Sequence, residues 1–281
     1  MIQLVAKVAA VVERAVRDPA VMAEVVWKAR SRLTAARHQR RLGEYADIVE
    51  APLVGLARVL GVEVAAVQNV LASEGFRRVI ADLERYRATG PAAYMGGPGF
   101  LEACYAVVRL ARPATVLETG VANGYSSAVI LQALEDNGKG RLYSVDLPKF
   151  RPGVAAYTGA AVPERLRSRW ELHIGSDRRV LPGLLARIAP VDYFFYDSDI
   201  SYEGMLHTWD LVWPHLSPGA VLTINGVHAN DAYLEFCNAR RLTPMIVPQP
   251  KRRGVHQREH MPGERIFYMG LLRKPAHEQF A

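Results

Sequence analysis

The sequence predicts an α/β fold, a mostly parallel sheet with helices on both faces, preceded by an amino-terminal helical extension. Three observations predict it. Apolar runs of strand length alternate with amphipathic helical stretches from about residue 90 to about residue 275, the pattern of crossover units in a parallel sheet. A turn with two glycines, Glu118-Thr-Gly-Val-Ala-Asn-Gly-Tyr-Ser126, joins one such run to a helix, and a second run follows with Asp146 at its end. Residues 1–88, by contrast, are dominated by Ala, Val, Leu, Glu and Arg at roughly 3.6-residue spacing and read as helix.

A chain of 281 residues can bury one large core or two modest ones, and we divide it into a helical region, 1–88, and a sheet domain, 89–281. The helical region is expected to cover the sheet domain or to pair two subunits into a homodimer. Half of the residues are hydrophobic and 22% are charged, an ordinary globular profile. The longest stretch without acidic or basic residues, Leu211 to Asn230, is broken by prolines, asparagines and His215 and is no membrane span. Lys7 and Glu13 interrupt the amino terminus, so it lacks a signal peptide's apolar core. Cys104 and Cys237 offer neither a disulfide framework nor a zinc pattern, which makes a reduced cytoplasm the default location. The formal charge of +7 comes with basic clusters at Lys28 to Arg41 and Lys251 to Arg258. These raise a polyanion partner, but the excess is modest and no aromatic residues interleave, so solvated faces are favoured over nucleic acid.

In order along the chain, Asp18-Pro19 and Ala51-Pro52 break the helical region. Leu56 to Leu71 has the cadence of two helices with Gly61 at the turn. Its second half, Val64 to Leu71, is mostly Val and Ala, which suits packing rather than reading DNA bases. Thr89 to Phe100 is a Gly/Pro-rich joint before a helix at Leu101 to Leu110, with Tyr94 and Met95 as candidate lining residues. The first strand is Ala114 to Glu118 and the second Arg141 to Val145. Leu147 to Ser168 is a long aperiodic segment, read as a substrate-side loop or lid. A third strand, Glu171 to Ile174, leads through Gly175-Ser176-Asp177 into a helix. Val191 to Tyr196 is a fourth strand, ending in Asp197-Ser-Asp199. Ser201 to Leu216 is helix, Ser217-Pro-Gly219 a turn, and Ala220 to Ile224 a fifth strand ending in Asn225-Gly226. A further helix and two strands, near Met245 to Val247 and Arg265 to Leu272, close the sheet as a hairpin pair.

The turn after the first strand fails the dinucleotide pattern, which wants glycine at 122 and 125 where Ala122 and Tyr125 stand. It fails the phosphate-loop pattern too, since no Gly-Lys-Ser/Thr follows. What remains is acidic-x-Gly-x-x-x-Gly-x-Ser plus an acid at the end of the next strand. This resembles motif I and the following acidic position of class I S-adenosylmethionine (SAM)-dependent methyltransferases. The resemblance implies a seven-stranded, Rossmann-like methyltransferase sheet over roughly residues 90–275, with SAM as cofactor. It places the backbone from Gly120 through Asn123 to Gly124, and Ser126, against the methionine part. Glu118 would hold the amino end, Asp146 both ribose hydroxyls, and Ser176 or Asp177 the adenine amino group, with Asp197 bordering the cofactor. Ser176 and Asp177 are equally suited to capping a helix, and a plain crossover turn with Ser126 as a cap is the less favoured reading of the first turn.

Methyl transfer from a sulfonium is an in-line displacement, so the acceptor must be held on the sulfur–carbon axis and lose its proton. Beyond the fourth and fifth strands the chain offers Asp197, Asp199, Asn225, His228, Asn230 and Asp231. Catechol-type O-methyltransferases bind Mg²⁺ with acids at such positions, and macrocin-type sugar O-methyltransferases carry a similar Asp-x-Asp-His-Ser-Tyr stretch. Here the run is Asp197-Ser-Asp-Ile-Ser-Tyr202: Ile200 replaces the histidine, and Asn225-Gly226 stands where a second acid would be. Asp197, Asp199 and the Asn225 carbonyl could hold a metal, but with one acid missing Mg²⁺ is not favoured. A metal-free reaction needs a base, for which His228 leads, His207 is second and the catalytic set is Asp197, His228 and Asp199. The segment Gln249 to Glu264 brings Lys251, Arg252, Arg253, His256 and His260, which could bind an acidic substrate.

The function this implies is SAM-dependent O-methylation of a small-molecule hydroxyl, on a natural-product or sugar-like acceptor. An RNA methyltransferase, served by the basic clusters, is the alternative within the class; the Asn-Pro-Pro-Tyr-type tetrapeptide of amino-group nucleic-acid enzymes is absent after the fourth strand. A methyltransferase-fold binding protein that has lost its chemistry is a third reading, prompted by Ile200 and Asn225.

Overall fold

The computed structural model describes residues 20–34, 47–89, 100–148, 154–249 and 267–276. Their centre is a seven-stranded sheet in the order β3-β2-β1-β4-β5-β7-β6. The strands are β1 (Thr115–Thr119), β2 (Arg141–Asp146), β3 (Trp170–Ile174), β4 (Val191–Tyr196), β5 (Leu216–Asn225), β6 (Ile246–Gln249) and β7 (Phe267–Arg273). β1 pairs in parallel with β2 and β4, as do β2 with β3 and β4 with β5, while β7 runs antiparallel to both β5 and β6. This is the Rossmann-like methyltransferase sheet, and the chain order reverses between β1 and β4. Open α/β sheets bind ligands at that switch point, outside the carboxyl ends of the strands.

Side-chain alternation along the strands sorts the core into two layers. Val116, Leu142, Tyr193, Phe195 and Val221 face one cluster, and Leu117, Val145, Phe194, Tyr196, Leu222 and Ile224 face the other. The first layer is filled by α2 (Pro52–Leu60), α3 (Val64–Leu71), α4 (Glu74–Thr89), α5 (Leu101–Ala111) and α6 (Tyr125–Asp136). α2 and α3 cross at 109° about Gly61, whose φ of +69° is comfortable only for glycine. Leu56, Val59 and Val67 of this pair share a cluster with the sheet, so the two helices pack as a hairpin against the α/β core.

The second layer holds α7 (Asp177–Ile188), α8 (Tyr202–Val212) and α9 (Ala232–Ala239). A row of edge-on aromatic contacts runs through it: Phe194 to Tyr196 at 6.1 Å, Tyr196 to Trp209 at 5.5 Å, Trp209 to Phe236 at 5.3 Å and Phe236 to Trp213 at 5.4 Å between ring centroids. α1 (Ala20–Thr34) docks outside this layer. Trp27 lies 5.9 Å from the His207 ring, the Arg178 guanidinium sits 4.0 Å above Trp27, and Glu24 pairs with Arg178. His207 therefore belongs to a helix-docking contact.

Two boundaries differ from the sequence expectation for local reasons. α8 ends at Val212 because Pro214 cannot donate the next helical bond, and Trp213 to His215 tighten into a 3₁₀ turn. β5 begins at Leu216 and runs through Ser217-Pro-Gly219, where a turn was expected. The Gly219 amide donates to the Lys274 carbonyl and the Lys274 amide to the Ala220 carbonyl, so the tail past β7 extends the ladder. Among the described residues no single helix is long and apolar enough to cross a membrane. Asp18, Pro19 and the basic cluster beyond residue 34 lie outside the described residues.

Trp209 is 1% exposed in the middle of the aromatic row. Trp209→Ala is expected to lower unfolding free energy by about 3–5 kcal/mol in chemical denaturation. A loss below about 1 kcal/mol would show that the row does not hold the second layer.

Candidate active site

The site is built from the carboxyl ends of β1, β2, β4 and β5. β1 ends in Thr119, and the turn that follows leads into α6 with Gly124 at the N-cap position, so Ser126 is not the cap. Both motif glycines have positive φ, +86° at Gly120 and +90° at Gly124. A Cβ on Gly120 would lie 2.1 Å from the Asp197 carbonyl oxygen, and one on Gly124 would lie 2.9 Å from the Gly159 Cα. The close approach that these glycines permit is therefore that of the chain's own backbone. Ala122 also has positive φ, +50°, a conformation costing a residue with a Cβ about 1 kcal/mol. It is held at both ends: its amide donates to Asp146 Oδ1 at 3.3 Å, and its carbonyl accepts the Gly159 amide at 2.9 Å.

Glu118 is fully buried, and three hydroxyls donate to it: Ser126 Oγ at 2.6 Å to Oε1, and Ser127 Oγ at 2.6 Å and Ser144 Oγ at 2.7 Å to Oε2. Burial raises its carboxyl above the usual range even though the three hydroxyls oppose the rise. Asp146, 7% exposed, accepts the Val121 amide at 2.9 Å besides that of Ala122, so the second-strand acid and the glycine turn are joined directly. Asn123 is 2% exposed and its Nδ2 is buried with no acceptor among the described residues.

At the end of β4 the Asp197 amide donates to the Thr119 carbonyl at 2.7 Å, pinning this edge to β1. Asn225 Nδ2, from the end of β5, donates to Asp197 Oδ1 at 2.7 Å. Burial pushes the Asp197 carboxyl up to about 7, Asn225 opposes this, and the nearby charges of Glu118 and Asp146 add to it. Asp177, at the start of α7, faces inward: its Oδ2 accepts Ser198 Oγ at 2.5 Å and Thr208 Oγ1 at 3.3 Å, and burial pushes it up to about 6. Ser176 occupies the N-cap position of α7 without a side-chain capping bond. Asp199 and Asn230 shape turns: Asp199 Oδ1 accepts the Ser201 amide at 3.1 Å, and Asn230 Oδ1 accepts the Ala232 amide at 3.0 Å.

His228, just past β5, accepts the Tyr268 amide on Nδ1 at 3.2 Å. With Nδ1 used as an acceptor, the neutral ring carries its proton on Nε2. Burial lowers its pKa, which keeps the ring neutral. Among the described residues no group of three or more His, Cys, Asp or Glu is placed to hold a metal ion. Tyr94, Met95, Lys251, Arg252, Arg253, His256 and His260 lie outside the described residues.

The structure thus brings together Glu118, Gly120, Asn123, Gly124, Ser126 and Asp146 at the turn, and Asp197 with Asn225 opposite. Sequence reasoning missed Ser127, Ser144 and Trp170. Ser144 had a signal, a hydroxyl inside the apolar strand Leu-Tyr-Ser-Val, where a buried polar group needs a partner. The segment after β2, expected as a substrate-side loop, returns to the turn where it is described: the Gly159 amide donates to Ala122 and the Ala161 amide to Asn123.

Residues 117–227 match the family model of a methyltransferase domain. No curated protein matches the chain. Three solved structures are similar over 73% of this chain. A Klebsiella pneumoniae protein described as an O-methyltransferase has 18% identity, a TM-score of 0.53 and 91% of its own length covered. The O-methyltransferase TomG of Streptomyces achromogenes, involved in tomaymycin synthesis and solved with SAM, has 19% identity, a TM-score of 0.51 and 92% covered. An O-methyltransferase of Bacillus cereus, solved with S-adenosylhomocysteine, has 17% identity, a TM-score of 0.51 and 94% covered. Residues 117–227 thus match a methyltransferase domain, and the chain shares the fold of these O-methyltransferases.

Because the fold favours the protonated Asp197, its contribution to stability is full below about pH 4, where the carboxyl titrates in the unfolded chain, and is lost as pH rises through about 7. Asp197→Asn should therefore flatten the fall in melting temperature between about pH 4 and pH 8, and melt a few degrees above the unsubstituted protein at about pH 8. An unchanged pH slope in scanning calorimetry would show that Asp197 is not held as described.

Proposed function

We propose that the protein methylates a hydroxyl of a small molecule, using SAM bound over the turn from Gly120 to Gly124. One observation carries this reading. Glu118, Asp146 and Asp197 gather at the switch point, and Asp197 is acted on by Asn225 and by two other acids, with no cation among them. Such a cluster suits a ligand bearing positive charge, and SAM brings both an ammonium and a sulfonium. The buried, acceptorless Asn123 Nδ2 suits a ligand that also brings an acceptor.

Within this reading Asp146 accepts ribose hydroxyls, while its contacts to Val121 and Ala122 keep sugar and turn in register. Glu118 works through Ser126, since its own oxygens are taken up by hydroxyls. Ser176 offers a polar contact at the adenine end, and Asp177 ties that end to the loop after β4 through Ser198. Bound SAM supplies an electrophilic methyl group, and the remaining requirement is a residue to take the acceptor's proton. We assign this to Asp197 rather than to His228. A carboxylate titrating near 7 is a far better base at neutral pH than an ordinary aspartate, and Asn225 orients it. His228, whose Nδ1 is engaged by the Tyr268 amide, is not assigned the base role. Asp199 shapes the loop that carries Asp197. This scheme requires no Mg²⁺.

The TomG precedent, an O-methyltransferase involved in tomaymycin synthesis, supports a small-molecule acceptor. The test is conversion of SAM to S-adenosylhomocysteine with a panel of phenols, sugars and other hydroxyl compounds. The rate is expected to rise with pH as Asp197 ionises, over a range at or below about 7 because the bound cation favours the carboxylate. Asp197→Asn should lower kcat about a hundred-fold or more and abolish that rise. Retained kcat with the same pH profile would remove Asp197 as the base.

A further inference from the structure

We infer that Trp170, the first residue of β3, positions the cofactor turn from behind, acting through Gly159 and through Ser144; the inference rests on the reading of that turn as the SAM site. Two chains of contact converge on the turn. In the first, the Trp170 indole lies against Gly159, so closely that a Cβ on Gly159 would fall 2.2 Å from the ring. Gly159 donates its amide to the Ala122 carbonyl at 2.9 Å, and two residues on Ala161 donates to Asn123 at 2.8 Å. The segment from Gly159 to Ala161 therefore lies as a short strap along the turn, and the indole closes over its far side. Arg167 ties down the same strap, donating to the Gly159 and Val162 carbonyls at 3.0 and 3.1 Å, with its guanidinium 5.4 Å from the Trp170 ring.

In the second chain, Trp170 Nε1 donates to Ser144 Oγ at 2.9 Å. Ser144 Oγ in turn donates a hydrogen bond to Glu118 Oε2, and Glu118 holds Ser126 and Ser127 in the first turn of α6. A single indole thus braces both the carbonyl side of the turn, at Ala122 and Asn123, and its helical side, at Ser126 and Ser127. Ala122 gives the bracing a purpose. Its positive φ persists only where surroundings impose it, and the strap is one of the two groups that do so. Strap and turn must themselves lie close, which is why glycines face each other at 124 and 159. Trp170 touches no reacting atom in this account; it is a positioning residue.

Trp170→Phe keeps a ring over Gly159 and removes the indole N–H. SAM affinity measured by calorimetry should weaken roughly three- to ten-fold, the worth of one part-buried hydrogen bond. Hydrogen exchange of the amides from 120 to 127 should quicken in the cofactor-free protein, while the melting temperature changes little. Trp213→Phe, in the opposite layer, is the control and should leave SAM affinity unchanged. Should Trp170→Phe fail to fold, Ser144→Ala breaks the same link and is held to the same readouts. Unchanged affinity or unchanged exchange in the Trp170 or Ser144 variant overturns the inference, as does equal weakening by Trp213→Phe. Failure of the unsubstituted protein to bind SAM is a separate outcome and sinks the reading of the turn itself.

Discussion

The arrangement depends on how the ends of β1 and β4 meet. The Asp197 amide binds the Thr119 carbonyl, and the Asp197 carbonyl then passes over Gly120 with no room for a side chain. This contact fixes where the fourth-strand acid stands relative to the first-strand turn. It also brings Asp197 within electrostatic reach of Glu118 and Asp146. An L side chain at position 120 would separate the two edges, and with them the acids.

Three carboxylates with so little solvent around them are unfavourable for the protein alone, because each disfavours ionisation of its neighbours. The chain offsets part of this cost internally. Glu118 receives three hydroxyls, Asp146 two backbone amides, and Asp197 the amide of Asn225. What is left over is a group of acids whose ionisation a cationic ligand would favour. Sites with function often retain such unfavourable electrostatics, since relief comes only when the ligand binds.

Much of the fold was legible because its signals are local. Strands such as Val191-Asp-Tyr-Phe-Phe-Tyr196 are too apolar for anything but a buried element, and acids at strand ends mark the ligand edge of a parallel sheet. The candidate site was legible to the extent that it is carried by the glycine turn and those strand-end acids. Its supporting residues were not. Trp170 reaches Gly159 and Ser144 across long separations, and nothing in the neighbourhood of Trp170 in the sequence announces either contact. Similarly, the inward turn of Asp177 depends on Ser198 and Thr208 from other elements. The tautomer of His228 depends on a backbone amide of β7, so its promise as a base could not be judged from position alone. Gly120 was expected to let a ligand meet bare backbone; what the structure places against it is the backbone of Asp197.

The most direct measurement is calorimetric titration of the protein with SAM in the presence of EDTA, alongside the Asp146→Ala variant. The account predicts saturable one-to-one binding without a divalent ion, weakened in the variant by about 1–3 kcal/mol for the loss of a buried carboxylate's hydrogen bonds. No binding by the unsubstituted protein, or equal affinity in the variant, would contradict it.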